Sequence, residues 1–145
     1  MKWANRVGIV IALLGAVGGG AAFGQEKRDW QAEHDAGWRD YQAGRLEEAE
    51  KALWAAEKAL AADDARLPMT LDHLAWVLSA EGKSAEAEAL AKAALAIREK
   101  TLGPAHADVA ASLHTLAVLN DLDGRTDQAR PLYARCLSIL EQVEG

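Results

Sequence analysis

The chain has 145 residues, with 16 Lys and Arg against 22 Asp and Glu, for a net charge of −6. Half of it is apolar and 32 residues are alanine, the best helix former, while Val, Ile and Thr are few; this excludes wholesale disorder and an all-β fold. The acidic balance offers no basic stripe to nucleic-acid phosphates, and a single cysteine, Cys136, excludes an intrachain disulfide or a cysteine-based zinc site.

The first 24 residues read as a secretory signal peptide. Lys2 and Arg6 precede an apolar run, Val7 to Val17, which is followed by small residues up to Gly24. Ala22 and Gly24 suit cleavage before Gln25. The alternative is a retained membrane anchor, against which the run is short for a span of roughly 20 residues. No cysteine lies near the cleavage site, which speaks against a lipoprotein. The expected destination is therefore periplasmic or secreted.

Residues 25–145 read as all-α. The first helix runs from about Asp29 to Gln42 and turns at Gly44; the chain returns from Leu46 to about Ala62. Asp63, Asp64 and Pro68 mark the exit and the next entry. In the next helix Leu71, Leu74, Ala75 and Leu78 recur at i, i+3, i+4 and i+7, one face of a helix. Gly82 ends it, and Ala87, Leu90, Ala91, Ala94 and Leu95 begin a second apolar face. Arg98 and Lys100 fall in the last turn, where cations suit the helix dipole. Gly103 closes that helix, and Pro104 is expected to open the next. A last pair follows with Leu113, Leu116, Ala117, Gly124, Ala129, Leu132, Tyr133, Cys136 and Leu137.

These helices repeat. Leu71, Leu74, Ala75, Gly82, Ala87, Leu90, Leu95 and Ile97 match Leu113, Leu116, Ala117, Gly124, Ala129, Leu132, Leu137 and Ile139 at one offset of 42 residues. A looser copy precedes them at an offset of 38, Gly37, Gly44, Ala49 and Ala56 matching Ala75, Gly82, Ala87 and Ala94. Three helix-turn-helix units are expected, over about 29–62, 67–100 and 104–143.

This pattern of small residue, glycine turn, alanine, then leucine or aromatic resembles the tetratricopeptide repeat. The 42-residue spacing and the segment 96–110, AIREKTLGPAHADVA, resemble its kinesin-light-chain type. Ala105 and Ala107 stand where that type often has Asp and Pro. Asp72-His73 and His114-Thr115 stand where it has paired Asn, and Leu46, Ser84 and Thr126 replace an aromatic after the turn. The resemblance implies an α-solenoid whose first helices line a concave groove. It does not bring the dicarboxylate clamp, whose Lys and Asn are missing here.

By spacing, the groove residues are His34, Trp38 and Tyr41 in the first unit, Asp72, Trp76 and Ser79 in the second, and His114, Val118 and Asp121 in the third. Aromatics there give a partner much contact area at little entropy cost. The alternative for Trp38 and Trp76 is packing between units. Trp54 is expected on the convex side or against Trp30. Leu132, Ile139 and Val143 on the last helix form an expected docking face, for self-association or for an envelope complex.

No zinc-protease spacing joins the four histidines, no phosphate loop is present, and Ser112 and His114 lack a third catalytic partner. Cys136 reads as a small buried residue. The expectation is a non-enzymatic module with no cofactor and no metal, binding a protein or peptide. Nucleic acid and small-molecule substrates are not expected, and the membrane enters only if the leader is retained. A structural subunit docking through its last helix is the alternative.

Overall fold

The structure, a computed structural model, describes residues 26–145. The expected leader and its cleavage site lie outside the described residues. Six helices and no strand occur among them: α1 Glu26–Gln42, α2 Leu46–Lys58, α3 Leu67–Ala80, α4 Ser84–Leu102, α5 Ala107–Leu122 and α6 Thr126–Glu144. The first begins three residues before its expected start.

Three of the turns are built alike. Gly44, Gly82 and Gly124 hold φ at 75°, 79° and 74°, a region that only glycine enters without strain. Their N–H groups donate to the carbonyls of Tyr41, Ser79 and Asp121. The next residues, Arg45, Lys83 and Arg125, donate backbone N–H to Asp40, Leu78 and Asn120 at 2.8 Å. This is the Schellman closure, which satisfies the orphan carbonyls at the end of each helix. One expectation fails at the α4–α5 link. Pro104 lies in the turn, and α5 begins only at Ala107, where His106 Nδ1 accepts the N–H of Asp108 at 3.1 Å. A side-chain cap replaces the proline start.

Within each pair the helices approach closely because the contact residues are small. A Cβ on Gly37 would lie 2.6 Å from Leu53 Cγ and 3.2 Å from the Ala49 carbonyl oxygen. Ala49, Ala75, Ala87, Ala117 and Ala129 are all fully buried. Leu53, Leu71, Leu74, Leu78 and Leu90 fill the space around them with no exposed surface, each contributing roughly 1.5–3 kcal/mol by burial. The core runs from Ala49 on α2 to Leu119 on α5. A second cluster, Val109, Ala110, Leu113, Cys136 and Ile139, lies between α5 and α6, and Leu95 and Leu132 pack against both. Cys136 is buried as expected, and burial pushes its thiol up.

Neighbouring helices in the chain pack on each other throughout. In addition α1 closely approaches α3, and α3 approaches α5, whereas the backbones of α2, α4 and α6 stand apart, α4 and α6 meeting through long side chains such as the Glu99–Arg135 ion pair at 2.6 Å. The first helices are therefore the inner wall of a curved stack, and the second helices splay on its outer side.

Candidate protein-binding face

The inner wall is organised by α1 and α3. A row of aromatic rings runs along α1, with one ring supplied by α3. Trp30 stacks on His34 at 4.9 Å between centroids, His34 on His73 at 4.9 Å, His73 on Trp38 at 4.2 Å, and Trp38 on Tyr41 at 5.2 Å. The i, i+4 spacing of Trp30, His34 and Trp38 puts them on one face of α1, and His73 enters between the last two. At the far end the Arg66 guanidinium lies 4.6 Å over the Trp30 ring, a cation–π contact. Trp30 Nε1 donates to Thr70 Oγ1 at 3.0 Å. His34 Nε2 and His73 Nδ1 share one hydrogen bond of 2.9 Å.

Burial favours the neutral form of both histidines. It presses His73 down to about 4, with His34 and Arg98 acting in the same direction. It also lowers His34, against the pull of the Asp35 carboxylate. Asp72, next to His73, turns the other way: its Oδ2 accepts from Arg98 Nη1 at 2.5 Å, and that nitrogen also meets Ser112 Oγ at 2.6 Å on α5. Asp72 Oδ1 is buried with no partner. Burial lifts the Asp72 carboxyl to about 6, with Arg98 and Ser112 only partly offsetting it.

The expected groove residues therefore divide. His34 and Asp72 are 6% and 7% exposed and are spent on contacts between helices, so neither lines an open groove. The reason is the sideways neighbour: α3 covers His34, and Arg98 and α5 cover Asp72. Trp38, Tyr41, Trp76, Ser79 and Val118 are half-buried, and His114 and Asp121 are exposed. Trp38 combines both readings of its sequence position, since it packs between units on His73 and still offers surface. Trp76 and Tyr41 also pack on the core from the edge. His114 meets the edge of Tyr133 at 6.0 Å, and Asp121 helps raise the Tyr133 hydroxyl, after burial.

Trp54 takes one of its two expected places, the outer side, where it is buried and donates Nε1 to Glu50 Oε1 at 3.1 Å. It lines an open hollow there with Lys51, Lys58 and Lys83, and Trp30 is on the inner side. Arg98 turns into the interior instead of capping the end of α4. Ile139, expected on a docking face, is buried in the second cluster, and Leu132 is half-buried on the inward face of α6. Of that set Val143 is open, together with Leu137 and Leu140, which the periodicity had placed inward or left unassigned. The sequence reading missed His73, Thr70 and Ser112 as inter-unit contacts. His34 meets His73 across 39 residues and Arg98 meets Ser112 across 14, separations that neither repeat offset marks.

A second repeated device joins the units. Lys83 Nζ reaches Glu50 Oε2 at 2.8 Å, and Arg125 Nη1 reaches Glu88 Oε2 at 2.7 Å. Each cation follows a turn glycine, and each glutamate lies six residues after the preceding turn glycine. Glu50 and Glu81 hold the Lys83 ammonium well above its usual range.

Compared with known proteins, a tetratricopeptide repeat model matches residues 66–142, just over half of the chain. The chain belongs to the tetratricopeptide repeat family. The match covers the two helix pairs α3–α4 and α5–α6. Repeats of this family form a non-catalytic fold that generally mediates protein–protein interaction. No curated protein matches the chain. Among the described residues no three His, Cys, Asp or Glu side chains come together as metal ligands, and no helix is long and apolar enough to cross a membrane.

Proposed function

We propose that the chain is an exported adaptor or assembly factor, a stack of three repeats of kinesin-light-chain type, that holds a segment of a partner protein against its inner wall. The observation that carries this reading is the half-open aromatic set Trp38, Tyr41 and Trp76 on the first helices, with His114 and Asp121 exposed beyond it. Aromatic rings anchored from below lose little entropy on binding and offer large apolar faces. Asp121 and Ser79 add acceptors for a partner's backbone N–H or basic side chain. The α1–α2 pair counts as a repeat because its turn, its small contact residues and its glutamate at the sixth position after the glycine match those of α3–α4. Export rests on the basic, apolar and small-residue layout of residues 1–24.

The test is capture from the native envelope fraction. Protein recovered there is expected to begin at Gln25. Changing Trp38 and Trp76 to Ala is expected to lose the captured partner while the helical circular dichroism persists. Capture that is unchanged by the double variant removes the groove from the function.

A further inference from the structure

We propose that the chain forms a closed homodimer through an exposed stripe of α6, two copies packing antiparallel about a two-fold axis. This goes beyond partner binding at the inner wall and uses a different face.

The stripe is Arg130, Tyr133, Leu137, Leu140 and Glu144, spaced 3 and 4 residues alternately, the seam pattern of two helices packed along their length. Leu137 is 58% exposed and Leu140 38%. The equivalent stripe on α4, 42 residues earlier, shows what such positions do when covered. There Ala91 is fully buried, Leu95 packs on both clusters, Arg98 binds Ser112 of α5, and Glu88 binds Arg125.

Charge decides the occupant. Glu50 and Glu88 each receive the basic turn residue of the following pair. At the same position α6 carries Arg130, a reversal of sign. Another copy stacked head-to-tail would bring its own turn cation, Arg45, against Arg130, so open-ended stacking is opposed by repulsion. Along α6 the cation lies near the N-terminal end, and Glu141 and Glu144 lie in the last turns. Among the described residues none of these three makes an ion pair. An antiparallel pairing of two copies sets each Arg130 toward the other copy's acidic turn and brings the leucines together. A parallel pairing sets like charge on like. A 19-residue helix supplies less than the roughly 800 Å² per partner of a standard interface, so the dimer is expected to be weak, with a Kd of roughly 10–100 µM.

Sedimentation velocity on the full chain, from roughly 1 µM to 1 mM to bracket weak interfaces, tests this. The wild type is expected to pass from monomer to dimer with nothing larger. Leu137→Glu is expected to stay monomeric with unchanged circular dichroism, since that side chain is outside the core. R130E is expected to weaken the dimer about tenfold, and R130E with E141R and E144R to recover it. The proposal is overturned by a monomer at every concentration, which leaves the stripe to a different protein. It is equally overturned by species that grow beyond a dimer, by association that survives Leu137→Glu, or by a triple variant as weak as R130E.

Discussion

Asp72 and His73 are adjacent in the chain and respond to acid in opposite senses. His73 is held at about 4 against an ordinary 6.5, because the folded protein buries its ring and favours the neutral form. Its contribution to stability is complete above 6.5 and is lost as the pH falls toward 4, by at most about 3 kcal/mol. His34 has the same sign. Asp72 is lifted to about 6 from 3.8, so its protonated form suits the fold; the stability it contributes is present below 3.8 and lost as the pH rises through 6. Between pH 6 and 4 the two nearly cancel. Asp72→Asn removes one side of that balance and is expected to steepen the fall in melting temperature between pH 7 and 4.5. His73→Gln is expected to flatten it. The readout is the slope against pH relative to wild type; Asp72→Asn also strips Arg98 of its counter-charge and lowers stability at every pH. Parallel slopes in all three proteins would contradict the assignment.

Among the helices, α1 meets α2 closely at Gly37, where an added Cβ would lie 2.6 Å from Leu53 Cγ. Gly37 stands where the other pairs have Ala75 and Ala117, so α1 approaches α2 more closely than a Cβ allows. Gly37→Ala gains up to about 1 kcal/mol of helix propensity but drives a methyl into Leu53. A net loss of about 1–2 kcal/mol is expected, seen as a lower urea midpoint. A midpoint equal to wild type or higher would mean that Leu53 swings aside at no cost. The first unit is the loosest in sequence because its small-residue slot is met by glycine and its second helix has 13 residues where α4 has 19; its exit loop, residues 59–66, is longer than the 103–106 link, not shorter as the 38-residue offset suggests. The turn cations show the limit of reading one element alone. Arg45, Lys83 and Arg125 look like solvated charges after a glycine, and two of the three are ties to the preceding pair. Each exposed tie is worth about 1 kcal/mol or less; its importance is in register.

The whole molecule is a linear stack in which each pair rests on its neighbours, so stability is expected to be shared along it. Leu116 belongs to the cluster that spans α2 to α5. Leu116→Ala is expected to cost about 2–5 kcal/mol. The tryptophans of the described residues, Trp30, Trp38, Trp54 and Trp76, all lie in α1 to α3, far along the chain from position 116. Urea unfolding of this variant followed by tryptophan fluorescence is therefore expected to shift as far as unfolding followed by circular dichroism. A shift in the second alone would show that the third pair melts by itself.

Composition, the helical period of Leu and Ala, and the glycines at one spacing determined the helices, their turns and the repeat family, because all of these are local and recur along the chain. The half-buried placement of Trp38, Tyr41 and Trp76 on the first helices was legible on the same basis, since face follows from period. What only the tertiary structure decided was the fate of side chains that meet across units. His34 and Asp72 have groove spacing, but contacts 39 and 26 residues away bury them. Leu137 has core spacing yet is exposed, whereas its equivalent, Leu95, packs against the pair that follows it. The period of a helix states which way a side chain points; whether something stands there depends on the neighbouring unit, and that information is in the stacking of the pairs.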